Sequence, residues 1–166
     1  MIKAVIFDMD GLLIDSEPLW RQSHRQVLAE LGYSIAEDDV RAMAGRRTAE
    51  VAKHWQNQFG FEKPTHTALT EQIVDRVVAN IHERGQPMAG VDKLVQELSK
   101  HNIPMAVASS SPMRLIEVVL ERLGIRKYMQ AIHSGEHEER GKPFPDVFLS
   151  TAKSLGVAAA NCLVFD

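Results

Sequence analysis

The sequence predicts an α/β fold, a doubly wound parallel sheet with an all-helical cap domain inserted after its first strand. Three observations predict it. The chain opens with an apolar run, Lys3-Ala4-Val5-Ile6-Phe7, that stops at two carboxylates, Asp8 and Asp10, followed by Gly11. A continuous Val/Ile/Phe run bounded by a turn signal has the pattern of a buried parallel strand. Residues 16 to 86 then carry helical periodicity with no convincing strand. From residue 87 onward, helix and strand patterns alternate strictly, as a parallel sheet wound by crossover helices requires.

After the first strand, Ser16 can cap a helix whose apolar positions Trp20, His24, Val27, Leu28 and Leu31 follow helical spacing, with Gly32 to end it. A short helix from Ser34 or Ile35 turns Val40 and Met43 inward and stops at Gly45. Thr48 caps a third, carrying Val51, Trp55 and Phe59, and Gly60 closes it. Thr70 begins a fourth with Ile73, Val74, Val77, Val78 and Ile81 on its apolar face, ending near Gly85. Four helices placed directly after a strand make a separate lobe. The expected division is a core of residues 1–15 and 87–166 and a helical cap of residues 16–86, with Arg84 to Gly90 as the return hinge.

The core then resumes with a helix over 91–101, packing through Val91, Leu94, Val95 and Leu98. A strand runs from Pro104 to Ser110, and Ser111-Pro112 opens the next helix, which Gly124 ends. A short strand from Met129 to Ser134, a polar loop, a helix from Asp146 to Leu155 and a last strand from Cys162 to Phe165 complete the pattern, and Asp166 follows.

Composition narrows the function classes. With 166 residues the chain can bury one sizeable core and a small second lobe. A formal net charge of −3, without any Lys/Arg-rich stripe, gives no footprint for nucleic acid. No apolar stretch approaches the roughly 18 residues needed to span a membrane, and the N-terminus runs straight into a strand, leaving no room for a secretory signal. The single cysteine, Cys162, excludes an internal disulfide framework and fits a reducing compartment, so the cytoplasm is the expected location; a monomer is expected as well. Within its apolar run Cys162 reads as a small buried hydrophobe rather than a nucleophile.

The candidate chemistry sits at strand ends, because ligands of open parallel sheets bind beyond the carboxyl ends of the strands. Asp8 and Asp10, two acids at i and i+2, are an unfavourable pair unless a cation or proton separates them. Ser109, Ser110 and Ser111 bring hydroxyls and backbone N–H groups to the start of a helix, a ready anion site. Lys142 is held among turn residues in Gly141-Lys142-Pro143-Phe144-Pro145-Asp146, and Asp166 ends a strand just as Asp8 does. His133, Glu136, His137 and Glu138 flank a polar loop and read as solvated. Trp20 and His24 read as residues of the cap interior.

The string Phe7-Asp8-Met9-Asp10-Gly11-Leu12-Leu13-Ile14-Asp15-Ser16 resembles the first motif of the haloacid dehalogenase superfamily. Asp8-x-Asp10, Ser109, Lys142 and the acid Asp166 match its four motifs in order. The phrases from Ile14 to Trp20 and from Gly141 to Phe148 look like its branch of small sugar-phosphate phosphatases. That branch includes 2-deoxyglucose-6-phosphate and hexitol phosphatases, with β-phosphoglucomutase and pseudouridine-5′-phosphatase as relatives. The resemblance covers the whole chain and implies a Rossmann-like core. It also implies a Mg²⁺-dependent phosphatase acting on a small sugar or polyol phosphate, a phosphorylated metabolite being its only partner. Asp8 would be the nucleophile, forming an aspartyl-phosphate, and Asp10 the general acid and base. Ser109, Ser110 and Lys142 would hold phosphate oxygens. Mg²⁺ would take Asp8, the backbone carbonyl of Asp10 and Asp166, hard oxygen ligands as it prefers. In the cap, the turn Gly45-Arg46-Arg47 would read substrate, Arg47 ahead of Arg46.

A phosphomutase or a pseudouridine or nucleotide phosphatase would share these motifs. Members of the superfamily continue past this point with a second acid, a helix and a fifth strand, and a strand–helix–strand unit takes on the order of 30 residues. The chain is therefore expected to be a truncated piece of a longer hydrolase, its fourth strand an apolar edge. An inactive truncated protein that binds phosphate or a partner without turnover is the reading from a different class.

Overall fold

A computed structural model describes all residues, 1–166. Four strands, β1 (Ala4–Phe7), β2 (Met105–Ser109), β3 (Met129–Ser134) and β4 (Cys162–Phe165), form one parallel sheet in the order β3-β2-β1-β4. Right-handed crossovers fix the rest. The chain moves outward from β1 to β2 to β3 through α5 (Val91–Lys100) and α6 (Met113–Arg122), then returns across the sheet to β4 through α7 (Asp146–Ser154). The reversed direction puts α7 on the opposite face. Accordingly, Val5, Phe7 and Val107 join the main core with α5 and α6, while Ile6 and Ala108 pack on Val147 and Ala152 of α7. The order reverses between β1 and β4, so the crevice for a ligand lies beyond Phe7 and Phe165. β4 lies at the sheet edge, with Leu163 41% and Val164 39% exposed.

Between β1 and α5 the chain leaves the sheet to form four helices, α1 (Glu17–Glu30), α2 (Glu37–Arg41), α3 (Thr48–Phe59) and α4 (His66–Arg84). Their apolar faces meet through Leu19, Val27, Leu28, Trp55, Ile73 and Val77, all buried. The outgoing and returning segments pair: Asp15 N–H donates to the Gln86 carbonyl (3.0 Å) and Met88 N–H to the Leu13 carbonyl (3.0 Å). Two short hydrogen-bonded connections thus join the helices to the sheet. No helix is long and apolar enough to cross a membrane.

The boundaries differ from the sequence reading in instructive places. α4 starts at His66, four residues before Thr70, because Thr65 accepts a hydrogen bond from Ala68 N–H (3.2 Å) and caps it. Thr48 is the first helical residue of α3 and not its cap; Arg47 holds that position without a capping side-chain bond. Ser16 precedes α1 and Ser111 lies just ahead of α6, yet neither hydroxyl caps its helix. Both are used elsewhere. Cys162 is half-buried on the edge strand, where desolvation still raises its thiol above the usual range.

Candidate active site

Asp8 and Asp166 follow β1 and β4 directly, so the parallel register that sets Phe7 beside Phe165 carries both carboxylates to the same crevice. The two rings stack with centroids 5.6 Å apart, locking that register. Lys142 rises between the acids: its Nζ lies 3.1 Å from Asp8 Oδ2 and 2.5 Å from Asp166 Oδ1, and 4.9 Å from the Phe148 ring centroid. The loop that presents it is braced by Arg140, which donates twice to Asp146 (2.9 and 2.8 Å) and lies over the Phe144 ring. These bonds hold the Asp146 carboxyl below the usual carboxylate range. Lys142 is therefore a fixed charge rather than a solvated loop lysine.

Burial raises the Asp8 carboxyl from the ordinary 3.8 to about 6; Lys142 opposes this and the nearby Asp10 charge adds to it. Asp10 is placed by Gly11, whose φ of +73° turns the chain at once after the acid, a conformation glycine adopts without strain. Its carboxylate accepts from four donors. Ser16 Oγ (2.6 Å) and Trp20 Nε1 (2.8 Å) reach Oδ1, while Ser111 Oγ (2.6 Å) and Ser109 Oγ (3.5 Å) reach Oδ2. This is where the two presumed helix-capping serines are spent. Ser109 Oγ also accepts from Ser111 N–H (3.1 Å). Ser110 Oγ is buried with no hydrogen-bond partner, an orphan that native structures rarely leave without a reason.

A cavity of about 230 Å³ opens between these strand ends and the helices. Asp8, Asp10, Ser109, Ser110, Ser111 and Lys142 form its sheet-side wall, and Glu17, Trp20, His24, Met43, Gly45, Arg46 and Thr48 stand on the cap side. Burial, then the charge of Asp10, raises the Glu17 carboxyl. Asp166, half exposed, does not line the cavity and touches its wall through Lys142. Trp20 and His24, expected inside the cap, both face the cavity.

The two arginines part company. Arg46 lines the cavity. Arg47 points to the loop after β3 instead: it pairs with Glu50 and donates through Nη1 to the Glu138 carbonyl (3.1 Å). Gly141 makes room for it, since a Cβ there would stand 2.9 Å from Arg47 Nε. Arg47 thus joins cap to core, and Arg46 rather than Arg47 faces the space a ligand would fill. In the polar loop, Glu136 accepts from Met113 N–H (2.8 Å), capping α6, and His133 bonds Ser154 (2.8 Å). No three His, Cys, Asp or Glu side chains converge as a metal cluster.

Sequence reasoning missed the indole bond from Trp20 to Asp10 and the inward face of His24. An aromatic at helical spacing carries the same apolar signal whether its N–H is used or not.

The profile of the haloacid dehalogenase-like hydrolases matches residues 5–166. Hexitol phosphatase B of Escherichia coli K12 is 32% identical over 166 residues, which cover 99% of this chain and 75% of that protein. Fructose-1-phosphate phosphatase YqaB of the same organism is 31% identical over 163 residues, covering 98% and 85%. The fold is similar to that of β-phosphoglucomutase from Clostridium difficile, with a TM-score of 0.87 at 24% identity over 100% of this chain and 76% of that one. At that identity the likeness speaks for the fold alone. Family match, relatives and strand-end acids agree: the chain belongs to the haloacid dehalogenase-like hydrolases, in their phosphatase branch.

Proposed function

We propose that the chain hydrolyses the phosphate ester of a small sugar or polyol through an aspartyl-phosphate on Asp8. The observation that carries this reading is the Asp8–Lys142–Asp166 arrangement at the point where strand order reverses, beside the unpartnered hydroxyl of Ser110. The relatives named for hexitol and fructose-1-phosphate support the substrate class.

In this reading an oxygen of Asp8 attacks phosphorus and the ester oxygen leaves. Splitting one displacement into two suits a carboxylate nucleophile. Lys142 neutralises charge on the phosphoryl oxygens as they pass, and Ser109 and Ser110 hold them. Asp10, entering the cycle protonated, gives that proton to the leaving alcohol, then regains one from the water that frees phosphate and restores Asp8. Trp20 and Ser16 hold Asp10 by one oxygen through both steps.

The donor set suits Mg²⁺. The two carboxylates that one ammonium already bridges converge on a cationic position, and no protein group bonds the Asp10 carbonyl, so Asp8, Asp166 and that carbonyl would hold the ion. When bound, Mg²⁺ would supply charge neutralisation at the transferring phosphoryl group. The helices over 16–86 act as a cap whose approach excludes water.

The test is phosphate release, with and without Mg²⁺, from p-nitrophenyl phosphate and a panel of hexitol, hexose and nucleoside monophosphates. Free phosphate from polyol or sugar phosphates is the expected result. An isomerised sugar phosphate, or turnover confined to nucleotides, would overturn the reading.

A further inference from the structure

One cavity residue has no part in the chemistry above. His24 on α1 is 4% exposed, and its Nδ1 lies 3.3 Å from Trp55 Nε1. An indole nitrogen only donates, so Nδ1 accepts and carries no proton. The ring proton is therefore on Nε2. Burial lowers the ring from 6.5 to about 4, so it stays neutral at physiological pH. Nε2 has no hydrogen-bond partner in the protein, and His24 lines the cavity. The same cavity is lined by Thr48, equally buried at 4%, whose hydroxyl likewise has no hydrogen-bond partner in the protein. Met43 and Val51 add apolar surface to the lining of that cavity. Two neutral, unpaired polar groups on nearly buried residues, open only to the cavity, call for a neutral polar ligand group. A second phosphate would find no counter-charge in them, whereas a ligand hydroxyl can accept from His24 Nε2 and hydroxyls of the same ligand can pair with Thr48.

We propose that His24, held in its Nε2–H tautomer by Trp55, and Thr48 form a subsite that binds a hydroxyl on the carbon skeleton of the phosphorylated substrate. This rests on the phosphatase reading and names the specificity residues of the same cavity. Leaving a buried donor without its acceptor costs more than the net worth of one hydrogen bond, which is how such a site rejects esters lacking the hydroxyl.

The experiment compares kcat/KM for a hexitol phosphate with that for p-nitrophenyl phosphate, which carries no aliphatic hydroxyl, in wild type, His24→Phe, His24→Gln and Thr48→Val. His24→Phe should lower the ratio about tenfold, mainly through KM for the hexitol ester. His24→Gln, which keeps an N–H, should restore part of it, and Thr48→Val should lower it about threefold. A ratio unmoved by His24→Phe overturns the subsite; so does one unmoved by both other variants, should His24→Phe not fold. If wild type hydrolyses neither ester, the phosphatase reading fails, and calorimetric titration decides the subsite separately. Hexitol phosphate binding more tightly than inorganic phosphate, with the gain lost in Thr48→Val, upholds it; equal affinities overturn it.

Discussion

The two walls of the cavity are built on different principles. The sheet-side wall is charged and anchored at strand ends: register sets Asp8 and Asp166 side by side after paired strands, and Lys142, from a braced loop, spans them at 3.1 and 2.5 Å. The cap-side wall is mostly neutral, and its groups are held by one another, His24 by Trp55 and Trp20 by Asp10. Register is shared by every chain with this sheet, so the first wall suits a common chemistry. Side-chain packing is particular to a sequence, so the second suits recognition. Asp10 belongs to both walls, since Ser109 and Ser111 hold one of its oxygens and Ser16 and Trp20 the other.

Substitutions on the sheet side should therefore strike kcat most, Trp20 a little through its bond to Asp10, and the other cap-side residues substrate choice. The largest effect is expected from Asp8→Asn, with turnover falling to the uncatalysed level in phosphate-release assays. The same change should stabilise the metal-free protein. Asp8 holds its proton more tightly in the folded state, at about 6 against 3.8. Its contribution to stability is thus full below the unfolded value and lost as pH rises through about 6. At pH 7 the ionised, buried carboxylate costs about 1–3 kcal/mol, which asparagine removes. Thermal melts at pH 5 and pH 7 check this: Asp8→Asn should raise Tm at pH 7 and have less effect at pH 5. His24 runs the opposite way. Its value falls from 6.5 to about 4 on folding, so its contribution is present above 6.5 and lost as pH drops toward 4. His24→Gln should therefore flatten the acid side of the stability profile where Asp8→Asn flattens the neutral side.

Lys142→Met should lower kcat by about 10²–10³, as loss of an electrostatic anchor at the reacting group does. Trp20→Phe keeps the ring and removes one donor to Asp10, and steady-state assays should find kcat lower by roughly 3- to 10-fold with KM little changed. Arg47→Ala, which breaks the bond to the Glu138 carbonyl without touching the cavity, should cost least: about twofold in KM and under about 1 kcal/mol in chemical denaturation. If Trp20→Phe and Lys142→Met prove equal, the division between the walls fails.

How much of this was legible in the sequence follows the same division. Asp8, Asp166 and Lys142 announce themselves because an apolar strand ending in a carboxylate, or a lysine penned between Gly141 and Pro143, is a local pattern with a local cause. The cap side is written in contacts between distant segments. Which of Arg46 and Arg47 faces the cavity depends on the approach of Gly141, over ninety positions away, and no periodicity encodes that. Ser16 and Ser111 look like helix caps because serine beside a helix start usually is one. Asp10, a stronger acceptor nearby, takes both hydroxyls. The early start of α4 has a simpler cause: Thr65 caps a turn of His66, Thr67 and Ala68 that lacks the apolar spacing of the rest.

The central claim, that the sheet-side wall performs the chemistry through a covalent intermediate on Asp8, has one direct test. Wild-type protein turning over a polyol phosphate labelled in its phosphoryl group, with Mg²⁺ present, is quenched in acid and its peptides are mapped by mass spectrometry. The account predicts label on Asp8 and on no other residue, absent in Asp8→Asn. Phosphate released at full rate with no label on the protein, or with label on a different side chain, would contradict it.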